Sequence, residues 1–520
     1  MSCSPMPQRT AVAELLLVSP IALNRLDLSS SRRRRITPTA EATSPRRVAI
    51  ITRPGVITPS LNSIDRSRFP HPLGWSSRAE VAHIDQRVSL YKATTVPNSL
   101  HQNMATHDPQ EPPPARHLIF SFDLREKFDP SSDPEKRDIL WNIFPGTIGI
   151  GSDGWFVYLQ LRTLPPKPWP LTVAGVPLYL HLKLGQNPLP PARPVSWKNG
   201  SIAEDQDGKY MKDWKPLFLA IKDHFQDLRI PITEVMYLGN VVVIVLKHRD
   251  TDTDTLPCRA AKIGCNYLFE DEMGRPSALH ASRLTDPAPG NPDVSQYDTL
   301  QPGLRVASSY LPSSSATFMS TTTGVLLRDG VGNEFMTVAA HGFPSQCGTQ
   351  VFHAFPGIGR DVGELVMEVS HTDIALVKLK DTEKFSNITF ESDRIPEPIQ
   401  LKQLAPTASC PRFSLVCLDS PDTGFIEGQF MWSSFQAIPS DDESAEQDWV
   451  FTTWSYMGQD AAMKFPEEMC GSSIWSEDGN VLGFFRYAPK EGLMKDWCVG
   501  LAADELINRG YTLVNTRDRT

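Results

Sequence analysis

The chain has 520 residues, enough for two to four domains at about 100–200 residues each, and it carries 51 Lys and Arg against 60 Asp and Glu, a net charge of −9. A charge so modest and so evenly spread gives no case for nucleic acid, and no stretch reaches the roughly 18 apolar residues that cross a bilayer, so neither nucleic acid nor membrane is expected as a partner. The 45 prolines exceed the roughly 5% usual share and place much of the chain in linkers.

Residues 1–114 read as a disordered leader. In the first sixty residues, Arg9, Arg25, Arg32 to Arg35, Arg46, Arg47 and Arg53 stand against Glu14, Asp27 and Glu41 in a Ser/Thr/Pro-rich context, which cannot bury a core. The apolar run Ala11 to Leu17 contains Glu14 and lacks a clear cleavage site, which argues against a secretory signal. An Arg-rich, acid-poor start fits an organellar transit peptide, and the Arg32 to Arg35 run fits a nuclear address. The expected location is intracellular, cytoplasmic or nuclear, with organellar import the alternative. Met104 is a second candidate start, and starting there would remove every targeting inference.

Residues 115–270 read as an α+β domain of unknown function. His117 to Leu124 is expected as a strand, Ile148 to Leu161 as another with a Gly-Ser-Asp-Gly turn just inside it, and Pro170 to Leu184 as a third. Trp214, Leu217, Phe218, Ile221, Phe225 and Leu228 recur at helical spacing, with Pro216 in the first turn, where it is tolerated. A hairpin follows, from Ile232 to Leu238 and from Val241 to Leu246, around Gly239-Asn240. The acidic loop at Glu204, Asp205 and Asp207 reads as solvated rather than cation-binding. Cys258 and Cys265 have the wrong gap for a zinc knuckle and read as structural thiols. Residues 271–315, with Pro-Ala-Pro-Gly and a Ser-rich end, read as a linker holding at most one short strand or helix.

Residues 316–520 alternate short apolar strands with turns, a pattern of barrels or sandwiches. Strands are expected at Gly324 to Arg328, Asn333 to Ala339, Thr349 to His353, Gly363 to Val369, Asp373 to Leu379, Phe413 to Leu418, Gly424 to Gln429, Trp449 to Tyr456, Ser473 to Trp475 and Val481 to Arg486. Leu501 to Arg509 is expected to be a closing helix. Three stretches carry chemistry: Thr337-Val338-Ala339-Ala340-His341, Thr372-Asp373-Ile374-Ala375-Leu376, and Glu468-Met469-Cys470-Gly471-Ser472-Ser473-Ile474-Trp475, followed by Asp478-Gly479 and Val481-Leu482-Gly483.

In this order, the stretches resemble the base, acid and nucleophile motifs of chymotrypsin-fold peptidases in the HtrA-like frame. The resemblance covers about Ser308 to Val514 and implies an all-β double β-barrel, trypsin-like, with His341, Asp373 and Cys470 as a triad. An ungapped match places Cys470, rather than a serine, at the nucleophile. Backbone N–H groups of Glu468 and Cys470 would then form the oxyanion hole. The sequence departs from the family at Glu468, Ser472 and Ser473, where Gly, Gly and Pro are usual, and a positive φ is costly for Glu. Gly342 stands where secreted relatives usually carry a cysteine, which favours a reducing compartment.

The function implied is an endopeptidase acting on polypeptide substrates. The alternative is a catalytically inactive trypsin-like barrel that binds a protein partner. A slipped hairpin would make Ser472 or Ser473 the nucleophile but would break the match at Asp478-Gly479. His353 and His371 are the other candidate bases and read as surface residues. Tyr456, Met457, Phe485 and Tyr487 suggest an apolar specificity pocket, and Asp460 a basic one. No cofactor and no metal are expected.

Overall fold

The computed structural model describes Ile51–Thr52 and most of residues 116–515, apart from short segments and the longer stretches 126–132, 277–294, 309–319 and 439–447. The chain divides into Met1–Ser44 and Pro45–Thr520, and every described residue lies in the second unit. Most of the expected leader therefore falls outside the described residues; within it, Ile51–Thr52 pairs with Gly149 and Ile150. Among the described residues, no helix is long and apolar enough to cross a membrane.

Two β-systems build the C-terminal half. In the first, Arg305–Ser308, Gln350–His353, Arg360–Val369, Ile374–Leu379 and Glu334–Ala339 lie side by side. One end of this row pairs with Ser320–Thr322 and the other with Leu326–Arg328. Both belong to one continuous segment, so the sheet curls back onto it and closes as a six-stranded barrel. Thr512–Leu513 adds to the Leu326–Arg328 edge. The second barrel runs Leu415–Leu418, Ser473–Ser476, Asn480–Tyr487, Trp497–Ala502, Trp449–Tyr456 and Ile426–Ala437, and it closes where Ile426–Ala437 pairs back with Leu415–Leu418. Closure leaves neither barrel a bare edge to protect.

The α+β region is joined to the second barrel through backbone. Ile426–Ala437 is 12 residues long. Its first third completes the barrel, and after a bulge between Phe430 and Trp432 its residues Ser434, Phe435 and Gln436 pair with Met236, Val235 and Glu234 of the Ile232–Tyr237 strand. The barrel sheet thereby continues into Val241–Leu246 and Ile263–Phe269. The Lys215–Asp227 helix, expected from its apolar spacing, seats Leu217, Phe218, Ile221 and Phe225 on this sheet, and Phe218 stacks on Phe435.

Several expected elements change in detail. His117 to Leu124 keeps only His117–Leu118 as strand. Ile148 to Leu161 is a hairpin, Thr147–Ser152 and Val157–Leu161, because Gly154 takes a positive φ in the turn. Pro170 to Leu184 folds at Ala174-Gly175 into Thr172–Val173 and Val176–His181. Within 271–315, read as linker, Thr299–Leu300 pairs with Lys384–Phe385, and Arg305–Ser308 is a barrel strand. The expected helix at Leu501 to Arg509 shortens to Asp504–Ile507 because Leu501 and Ala502 belong to the barrel strand.

The core between the N-terminal strands and the second barrel is aromatic. Trp155 meets Trp432 edge-on at 5.7 Å, Phe156 meets Tyr456 at 4.9 Å, and Trp432 lies 4.6 Å from Trp497. Trp454, Tyr456 and Trp497 are wholly buried. Uncovering even part of such a set costs on the order of 5–10 kcal/mol, comparable with the whole stability of a domain. A fragment of residues 316–520 is therefore expected to aggregate or to unfold without cooperativity, whereas residues 116–520 unfold in one transition. Circular dichroism melts of the two fragments check this, and a cooperative melt of the shorter one would contradict it.

Candidate active site

Ladder register brings the first two motif residues together. Glu334–Ala339 pairs antiparallel with Ile374–Leu379, Ala339 standing opposite Ile374. His341, two residues past one strand, and Asp373, just before the other, therefore emerge at the same end of the barrel. The Ala340 N–H donates to the Asp373 carbonyl at 2.8 Å and ties the two connections. Asp373 has φ 59°, a left-handed conformation that Asp tolerates better than most residues. Thr372 holds the turn by donating its hydroxyl to the Val369 carbonyl at 2.7 Å and accepting from Ile374 N–H at 3.2 Å.

The carboxylate of Asp373 receives both available donors of His341. Nδ1 lies 2.8 Å from Oδ2 and 3.1 Å from Oδ1, and the His341 backbone N–H donates to Oδ1 at 2.9 Å. With its proton on Nδ1, the ring keeps Nε2 as its acceptor. Burial alone would push the Asp373 carboxyl up; the charge of His341, its two hydrogen bonds and the charge of Arg486 outweigh this and hold it below the ordinary carboxylate range. Burial likewise opposes the imidazolium form of His341, yet the Asp373 carboxylate bonded to its ring, together with the nearby Cys470, raises it well above the ordinary imidazole range.

Cys470 comes from the second barrel. It precedes the Ser473–Ser476 and Asn480–Tyr487 hairpin, whose Gly479 takes φ 78° in the turn. Its thiol donates to the Arg486 carbonyl at 3.0 Å, and its own carbonyl accepts from Thr322 N–H at 3.1 Å and the Thr321 hydroxyl at 2.5 Å. Gly471 follows with φ 92°, and a Cβ there would stand 2.7 Å from both Ala339 N and Thr322 O of the first barrel. Only glycine lets the two barrels approach this closely. Among the described residues, the cysteines are free, and no cluster of His, Cys, Asp and Glu has the grouping of a metal site.

The remaining candidates fall elsewhere. His353 is a buried residue rather than a surface one: its ring bonds the Arg305 carbonyl at 2.9 Å and accepts from Tyr297 N–H at 3.2 Å. His371, Asp460 and Glu468 lie outside the described residues, so the proposed Glu468 donor rests on sequence register. Ser472 is wholly buried, and Ser473 pairs with Phe484 in the hairpin. Tyr456 and Tyr487 do not line a substrate pocket; they face the aromatic core shared with the N-terminal strands. Met457 and Phe485 instead pack under Cys470 with Phe465, which stacks on Phe485 at 5.4 Å. Asp207 caps a short turn through Lys209 N–H at 3.2 Å. Cys258 bonds the Asn199 carbonyl at 3.1 Å.

Sequence reasoning missed Arg486 as part of the site. The available signal was an arginine at the end of the otherwise apolar run Val481-Leu-Gly-Phe-Phe-Arg-Tyr. A cavity of about 480 Å³ lined by residues including His117, Phe122, Phe413 and Asn480 contains none of His341, Asp373 or Cys470.

Two successive six-stranded barrels hold these residues at their junction. The C-terminal half has a trypsin-like fold. Solved structures similar to this half include a Nocardiopsis protease (15% identity, 41% of this chain and 98% of that one, TM-score 0.29). Thermobifida fusca protease A (13%, 42% and 99%, 0.29) and Cellulomonas bogoriensis chymotrypsin (11%, 42% and 100%, 0.29) are similar to the same extent. At these scores the likenesses add nothing to the strand pairings, which carry the fold assignment. No family model matches the sequence, and no curated protein matches it.

The two shifts set the pH range over which the pair stabilises the fold. An unfolded imidazole titrates near 6.5, so the His341 contribution is fully present below about that pH and fades as pH rises through the raised folded value. The Asp373 contribution is present above about pH 3.9 and fades as pH falls through the lowered folded value. His341→Gln is therefore expected to lower the melting temperature most near about pH 5.5 and least in strongly alkaline buffer. Calorimetry at both pH values checks this, and equal losses would contradict it.

Gly471→Ala is expected to destabilise by about 2–4 kcal/mol, the sum of a strained φ and a clash with backbone. Denaturant titration of that variant measures the loss, and a shift under about 0.5 kcal/mol would contradict the close approach.

Proposed function

We propose that this protein is an endopeptidase that cleaves polypeptides with a Cys470–His341–Asp373 triad. The observation that supports this most directly is an imidazole held at Nδ1 by the partly buried carboxylate of Asp373, at the barrel junction where Gly471, next to Cys470, lies against Ala339. In this reading the Cys470 proton passes to His341 Nε2, and the thiolate attacks the scissile carbonyl carbon. His341 then returns the proton to the leaving amine, and water hydrolyses the thioester with His341 as base. Asp373 fixes the Nδ1–H tautomer and stabilises the imidazolium. The backbone N–H groups of Cys470 and Glu468 are assigned to the oxyanion.

Thiolate chemistry distinguishes this from a noncatalytic barrel without a known substrate. At about pH 6 a free thiol is roughly 0.3% ionised. Cys470 is then expected to alkylate roughly 10–100-fold faster than an ordinary thiol, with exposed Cys347 as the internal control. His341→Ala should remove this selectivity, and Asp373→Asn should weaken it. Cys470→Ala should abolish cleavage of an unstructured protein such as casein, whereas Ser472→Ala should leave most of it. Site-resolved mass spectrometry after iodoacetamide treatment reads the rates. A Cys470 that reacts no faster than Cys347 would favour the interaction-module reading.

A further inference from the structure

The cavity of about 480 Å³ that contains none of the triad residues is walled from both halves of the chain. His117 and Phe122 come from the N-terminal strands, Phe413 and Gln429 from the second barrel, and Glu477 and Asp478 from the turn of the hairpin that follows Cys470. Its size falls within the roughly 300–1,000 Å³ of small-molecule sites.

Gln429 supplies the buried polar group of this wall. It is 1% exposed, and its Nε2 donates to the carbonyls of Gly175 at 3.1 Å and Phe413 at 3.3 Å, both cavity residues. Two carbonyl acceptors fix which end of the amide is the donor. Its Oε1 is therefore an acceptor, and it is buried without a hydrogen-bond partner, a costly state that an added N–H relieves. Phe413 stands at φ 67°, rare for a bulky residue, and is held there by its N–H on the Phe430 carbonyl at 2.8 Å. Such strain gathers at ligand clamps.

The rest of the wall divides into an apolar part and an acidic part. Phe120 and Phe122 stack at 5.3 Å, and with Phe413 and Leu482 they give the cavity its apolar surface. Arg125 is already paired with Asp123 through Nε at 2.9 Å, and both lie against Gly175, where a Cβ would stand 2.8 Å from Arg125 Nε. His117 bonds Thr172 Oγ1 through Nδ1 at 2.9 Å and faces Glu427 across 3.5 Å at Nε2. Arg412, stacked on Trp155 and Phe413, is not part of the wall. Glu477 and Asp478 remain, both exposed at the rim, with no further lysine or arginine of the wall to answer them.

We propose that this cavity binds a small organic ammonium ion with an apolar body: Phe120, Phe122 and Phe413 take the body, Glu477 and Asp478 the charge, and Gln429 Oε1 an N–H. The inference stands apart from the peptidase reading. It gives the N-terminal half a role in binding, because neither half walls the cavity alone.

The probe is 4-phenylbutylamine, and the reporter is Cys410, which lines the cavity. Burial pushes the Cys410 thiol up to about 11, so iodoacetamide labels it slowly at about pH 9, where an alkylamine is still charged. Exposed Cys347 is the control, and site-resolved mass spectrometry of the whole chain reads both rates. The amine is expected to bind with a Kd of about 0.1–1 mM. At roughly ten times that concentration it should slow Cys410 about tenfold and leave Cys347 unchanged. The uncharged 4-phenylbutanol should need about tenfold more. Glu477→Gln combined with Asp478→Asn should weaken the amine about tenfold and leave the alcohol unchanged, whereas Gln429→Leu should weaken both. No protection of Cys410 by about 10 mM amine, or equal protection by amine and alcohol, overturns the proposal. So does an amine affinity indifferent to the two rim substitutions, which decide the matter even if Gln429→Leu fails to fold, since both residues are exposed.

Discussion

The structure depends on one strand that serves two sheets. Ile426–Ala437 closes the second barrel with its first residues and carries Ile232–Tyr237 on its last ones. A strand twice the usual length of five or six residues would twist out of both sheets if it stayed regular, and the bulge at Phe430 to Trp432 resolves that conflict by adding a local bend. Everything on the N-terminal side of the second barrel then has to pack where this strand directs it. The Trp432, Trp454 and Trp497 faces are covered by Trp155, Phe156 and their neighbours rather than by water.

The candidate site is governed by a different constraint, the cost of holding charge out of water. Asp373 stands at a left-handed φ of 59°, partly buried, where burial alone would push its carboxyl up. The His341 ring and its backbone N–H, both donating to the carboxylate, reverse that tendency, with a smaller contribution from the charge of Arg486. Each group is costly by itself and tolerable in company, as expected where charges are buried together. The barrels must meet closely for this company to assemble, because His341 and Asp373 belong to one and Cys470 and Arg486 to the other. Gly471, lying against Ala339 N and Thr322 O, is what lets them meet.

The N-terminal half supports the second barrel as well as having a core of its own. Its helix packs on Phe435, and its strand Ile232–Tyr237 holds Glu234 opposite Gln436. These contacts are backbone pairing and buried aromatic surface, the two kinds that leave least freedom for sliding.

Local chemistry was legible in the sequence. The order His341, Asp373, Cys470 followed from short motifs, the Lys215–Asp227 helix from its apolar period, and the Ile232–Tyr237 and Val241–Leu246 hairpin from Gly239-Asn240, because each depends on residues close together in the chain. Strand alternation, by contrast, put Tyr456 and Tyr487 into a core where a pocket had been expected, since their facing depends on which sheet covers them. His353 reads as a surface histidine until Arg305 and Tyr297 arrive from the supposed linker to bind it. The bulge at Arg486 and the pairing of Gln436 with Glu234 join residues about 50 and 200 positions apart, and no local propensity encodes them. The sequence by itself determined which groups could do chemistry and in what order they come; only the tertiary structure decided which of them share a buried field, because that depends on long-range strand register and on how close two barrels can approach.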